Sequence, residues 1–79
     1  MHKTLDQYLA DTGTTPTEFA RRVGCTQGTI WQILNTGFKP GVFLCLRIER
    51  ATGGAVRGEG LNPTLDWPLL RAAAVAEAA

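Results

Sequence analysis

Pro16-Thr17-Glu18-Phe19-Ala20-Arg21-Arg22-Val23-Gly24-Cys25-Thr26-Gln27-Gly28-Thr29-Ile30-Trp31-Gln32-Ile33-Leu34-Asn35 is the stretch of this 79-residue chain whose reading decides the fold. Thr15 precedes it as an N-cap. Pro16 takes the first helical position, where its missing N–H has no intrahelical partner to lose, and Glu18 completes a capping box. Phe19, Ala20 and Val23 fall on one face of this short helix, and Gly24 supplies the left-handed conformation that ends it. Thr26 caps the helix that follows, in which Ile30, Ile33 and Leu34 share a face, and Asn35, Thr36 and Gly37 close it. Two helices that cross closely need a small residue at the contact and a turn residue tolerant of positive φ four positions later. Ala20 and Gly24 meet that need, and Phe19, Val23, Cys25, Ile30 and Ile33 fall where a shared core requires apolar groups.

An advance of 100° per residue places Gly28, Gln32 and Asn35 opposite the apolar face of the second helix, with Thr29 and Trp31 on its flanks. A helix pair so joined predicts a helix-turn-helix over residues 16–35, in which the second helix enters the major groove of DNA while the first spans the backbone.

Outward from this motif, Thr4 caps a first helix with Gln7 three residues on, carrying Leu5, Tyr8 and Leu9 on one face, and Gly13 ends it. Pro40 and Gly41 punctuate before a fourth helix, Val42 to Ala51, closed by Gly53 and Gly54. Leu44, Cys45, Ile48 and Ala51 make its apolar stripe, and Phe43 and Leu46 lie to the side, so this helix has more apolar surface than one core face requires. Ala55 to Leu61 carries two more glycines and reads as extended, and Asn62-Pro63 as a turn or a short helical start. Leu65, Trp67, Leu69 and Leu70 are expected to anchor the C-terminal segment, and Arg71 to Ala79 is an Ala-rich helix that frays. The expected fold class is all-α: one domain over residues 1–79, a bundle of about five helices, with residues 55–67 open between helical and extended structure and 55–79 serving as a dimerisation element or tail.

Pro16 through Asn35 resembles the DNA-binding motif of phage Cro and repressor proteins. The stretch Cys45-Leu46-Arg47-Ile48-Glu49-Arg50-Ala51-Thr52-Gly53-Gly54-Ala55-Val56, with Leu61-Asn62-Pro63 and Trp67, is similar to the YdaS-type Cro-like regulators. The resemblance covers roughly Leu5 to Trp67. It implies a small lambda-repressor-like helical domain that binds operator DNA as a homodimer, in a prophage Cro-like repressor or an antitoxin. Two positions depart from the pattern: Pro16 stands where many members have Gln, and Gly28 where a longer polar reader is frequent.

Gln27 and Gln32 are the expected base readers, because a Gln amide both donates to and accepts from an adenine edge. Thr29 adds a hydroxyl or methyl. Gly28 either lets the helix approach the groove closely or is merely tolerated. Trp31 offers a flat contact to a thymine methyl or a sugar, or else a partial cap on the core or on the loop at Phe38, and the second is the preferred reading. Phosphate contacts are expected from the helix starts at Thr15 and Thr26 and from Arg22, Asn35 and Lys39. Arg21 and Arg22 read equally well as a solvated face.

Charge supports the same placement. The whole chain is +1, yet residues 1–57 hold seven Lys or Arg against four acids, giving 7 − 4 = +3, and residues 58–79 hold one against three, giving 1 − 3 = −2. The basic part contains the motif. With 44% hydrophobic and 19% charged residues the chain has the content of a folded domain, and no apolar run reaches the roughly 20 residues of a bilayer span. Lacking a secretion signal, it is expected to be cytoplasmic. Cys25 and Cys45 have no metal-binding spacing and read as reduced, buried thiols, so no metal or cofactor is expected. The chain offers no carboxylate pair, phosphate-cradling loop or nucleophile beside a histidine, and is not expected to be an enzyme. A homodimer would raise the weak affinity of one small module, and Phe43, Leu46, Leu65, Trp67 and Leu69 are its expected surface or else ordinary core. The alternative function is an antitoxin-like module that binds a toxin protein through its acidic C-terminal part.

Overall fold

The computed structural model describes residues 3–78, with side chains to residue 73. Among the described residues it has six helices and no strand: α1 (Leu5–Thr12), α2 (Pro16–Val23), α3 (Gln27–Asn35), α4 (Val42–Ala51), α5 (Gly58–Leu61) and α6 (Trp67–Ala78). The first four begin and end as the sequence predicts. Thr4 accepts from Gln7 N–H while Gln7 Oε1 accepts from Thr4 N–H, closing a full capping box. Thr15 accepts from Glu18 N–H, but the return bond from the Glu18 side chain is missing among the described residues, so the second box is half formed. Gly24, at φ 88°, lets the chain leave α2 in the left-handed region, and its N–H donates to Ala20 O. An L side chain there would be strained.

α2 packs against both α3 and α4, and α4 against α5. Leu5, Leu9, Phe19, Ala20, Val23, Ile30, Ile48 and Val56 form the core, with Phe19, Ile30 and Ile48 wholly out of water. Burial of each such side chain contributes about 1.5–3 kcal/mol. Cys45 is buried with its thiol donating to Pro40 O (3.3 Å), and burial pushes its pKa up to about 11; Cys25 is only half-buried, and both are free. No described helix is long and apolar enough to cross a membrane.

Beyond α4 the segment left open has turns and one short helix, α5, and no strand among the described residues. Thr52 is buried, donating to Glu49 O and accepting from Val56 N–H, and Gly53 and Gly54 at positive φ turn the chain back. The first N–H of α5, on Gly58, then donates to Glu49 Oε1 (2.9 Å). A carboxylate nine residues away thus starts the helical turn that local sequence left open. α6 also starts earlier than Arg71, because Asp66 Oδ1 accepts from Leu69 N–H and so caps a helix beginning at Trp67. Trp67 is buried, Leu65 and Leu70 are half-buried, and Leu69 is 63% exposed, so Leu69 does not anchor the segment.

Arg71 holds this corner together. Its guanidinium donates to Glu59 (Nε, 3.0 Å) and to both oxygens of Glu49 (2.7 and 3.1 Å), and lies 5.2 Å from the centre of the Trp67 ring. Arg57 Nε is 3.3 Å from Glu49 Oε1 without hydrogen-bond geometry. The bonds from Arg71 hold the Glu49 carboxyl below its ordinary pKa and lower that of Glu59 to about 2. A depressed carboxylate pKa contributes stability that is fully present above the unfolded value of about 4.3 and is lost as pH falls through the folded value. Urea unfolding should therefore show stability falling as pH drops from about 4.3 toward about 2, and Arg71→Gln should flatten that dependence. Glu59 and Arg71 are partly solvated, so the effect is smaller than in a buried pair.

Candidate nucleic-acid interface

Ile30, wholly buried, and Ile33 and Leu34, half-buried, fix α3 on the core. Its other side is consequently turned to solvent: Gln27, Gly28, Trp31, Gln32 and Asn35 are all exposed, and Thr29 is half-buried. Spacing of four residues arranges them in two neighbouring rows, Gln27-Trp31-Asn35 and Gly28-Gln32-Thr36.

The side chains along these rows differ in how far they are engaged. Asn35 donates one amide N–H to Trp31 O (2.9 Å), leaving its second N–H and its oxygen without a bond among the described residues. Thr26 accepts from Thr29 N–H (3.1 Å), and the two hydroxyls bond each other at 2.9 Å, so Thr29 is tied into the cap. The side chains of Gln27 and Gln32 take part in no hydrogen bond among the described residues; Gln32 contributes only its carbonyl, to Thr36. Trp31 is 57% exposed and lies in the same row as Gln27. Phe38, 43% exposed, lines a groove of about 810 Å³ between the ends of α1, α3 and α5, together with Leu5, Ile33 and Leu34.

Gly28 has an ordinary helical backbone, and a Cβ placed there would meet only Thr26 Oγ1, at 3.9 Å. Nothing inside the fold requires glycine at this position. Gly28→Ala is expected to leave thermal stability unchanged or raise it by up to about 1 kcal/mol. Duplex binding weakened in that variant, by fluorescence anisotropy, would mark close approach to the groove; unchanged binding would mark tolerance.

α3 has no charged residue, so positive charge beside it comes from other elements. Thr15 and Thr26 stand exposed at the starts of α2 and α3, where first-turn N–H groups and the helix dipole favour anions. Arg21, Arg22 and Lys39 are exposed and in no ion pair among the described residues, as are Arg47 and Arg50 on α4. The last two escaped the sequence reading because α4 was read for its apolar stripe. Their signal was present: two arginines three residues apart on the polar side of that helix.

No family model, curated protein or solved structure matches the chain.

The residues expected at a dimer surface separate into two groups. Phe43, 80% exposed, Leu46 and Leu69 are open to solvent. Trp67 is not: its indole N–H donates to Asn62 O (2.8 Å) and its ring lies over Gly58, so of its two expected places, dimer surface or core, it takes the core. Leu65 is half-buried. No group of three His, Cys, Asp or Glu among the described residues is placed to hold a metal.

Proposed function

We propose that the chain is a sequence-specific DNA-binding regulator of the Cro-like, YdaS-type kind, with α2 and α3 as its helix-turn-helix. The observation that carries this reading is the outward face of α3, where the Gln27 and Gln32 amides are exposed and unengaged on a neutral helix flanked by unpaired cations. Such amides read adenine edges in the major groove, while cations on adjoining elements hold the backbone. Phe43, Leu46 and Leu69 are the exposed apolar groups from which a homodimer would be built, each copy reading one half-site.

Selection of bound duplexes from a random library tests the reading directly. The expected product is a sequence of two related half-sites about 34 Å apart, one helical turn. Recovery of no preferred sequence would sink it. The partner-binding alternative draws less support than the charge count suggested. Glu59, one of the three acids counted there, is held by Arg71, while Asp66 is exposed.

A further inference from the structure

A helix without charge cannot neutralise the phosphates it runs between, so the cations must be found elsewhere. Of the eight Lys and Arg residues, Lys3 is bound to Asp11, and Arg57 and Arg71 face Glu49 and Glu59. Five remain, and three of these converge. Arg22 in the last turn of α2 and Arg47 and Arg50 on α4 surround a hollow of about 300 Å³ floored by Val23 and Ala51. No acidic residue lines it. The charge of Arg47 reaches Cys25, in the turn that leads into α3, and lowers the thiol pKa against the larger raising effect of burial. Three like charges brought together repel one another unless an anion sits among them.

We infer that Arg22, Arg47 and Arg50 form a phosphate-holding site that grips the DNA backbone beside the turn between α2 and α3. This rests on the DNA-binding reading above. Guanidinium forks suit phosphate oxygens, to which they bond in pairs. An acidic protein segment fits less well, since the hollow is small and its Val and Ala floor offers none of the large apolar or aromatic anchoring that protein interfaces concentrate at their centres.

The test measures affinity for the selected duplex as a function of salt in the full chain, in Lys39→Gln, and in the double variant Arg47→Gln, Arg50→Gln. Each lost phosphate contact lowers the slope of log K against log salt by about 0.9. The double variant should lose about 0.9–1.8 of slope, at least as much as Lys39→Gln, with its base preference and helical circular dichroism unchanged. Neither arginine side chain makes a hydrogen bond among the described residues, so the variant is expected to fold. If the unaltered chain binds duplex and the double variant keeps its full slope, the assignment is wrong while the DNA reading survives. If the unaltered chain binds no duplex at all, both fall. A double variant with full slope that has lost affinity for a poly-glutamate peptide would give the hollow to an acidic protein partner instead, overturning the phosphate assignment.

Discussion

Replacing Gln27 and Gln32 together with alanine is expected to bring the affinities for the selected operator and for a scrambled duplex to nearly the same value. A bidentate amide–adenine contact discriminates against a wrong base by about 1–3 kcal/mol, so two removed together amount to about 2–6 kcal/mol, on the order of 30-fold or more. The variant should fold normally, because both side chains are exposed and bonded to no described group. Sequence-independent binding and its salt dependence should persist, since the cations on α2, α4 and the Lys39 loop are untouched. Competition binding with labelled duplexes reads both quantities at once. Full discrimination retained in the variant would remove these two residues as readers and shift attention to Trp31, which occupies the same row as Gln27.

Gly58→Ala is expected to have the largest effect on stability. The added Cβ would come within 2.2 Å of one Trp67 ring carbon and 2.7 Å of two more. The ring cannot easily yield, being buried, hydrogen-bonded to Asn62 O and covered by Arg71. Overpacking of this kind costs about 1–3 kcal/mol and occasionally more, a large share of the stability of so small a domain. Chemical denaturation should show the loss. Trp67→Phe removes the part of the ring that collides but also its N–H bond, so alone it destabilises; combined with Gly58→Ala the two should lose less than their sum. Simple additivity would show that Gly58 and Trp67 are not in the contact described.

Helices α1 to α4 were legible in the sequence because everything that defines them is local. Thr4, Thr15 and Thr26 cap within three residues of themselves, and Gly13 and Gly24 end their helices in place. The outward face of α3 followed from helical spacing alone. What was not legible depends on residues distant in the chain: α5 takes its cap from Glu49, and Trp67 is drawn inward by Asn62 and the bare backbone of Gly58. Trp31, placed by helical spacing on the flank of the outward face of α3, is 57% exposed. That Arg22, Arg47 and Arg50 surround one hollow while Arg57 and Arg71 engage Glu49 and Glu59 is visible only in the folded arrangement.

Asn62 is buried, and its amide donates to Pro40 O (2.8 Å), while its side-chain oxygen accepts from Thr64 N–H and its carbonyl from Trp67. Pro40 adjoins Lys39, so the C-terminal third is a tie-rod that fixes the path of the chain as it leaves α3. A chain cut before Asn62 would keep every residue proposed to touch DNA and still lose the brace that sets Lys39 in position. For this domain, the shortest piece that contains α3 and the shortest piece that holds the chain leaving α3 in place are different lengths.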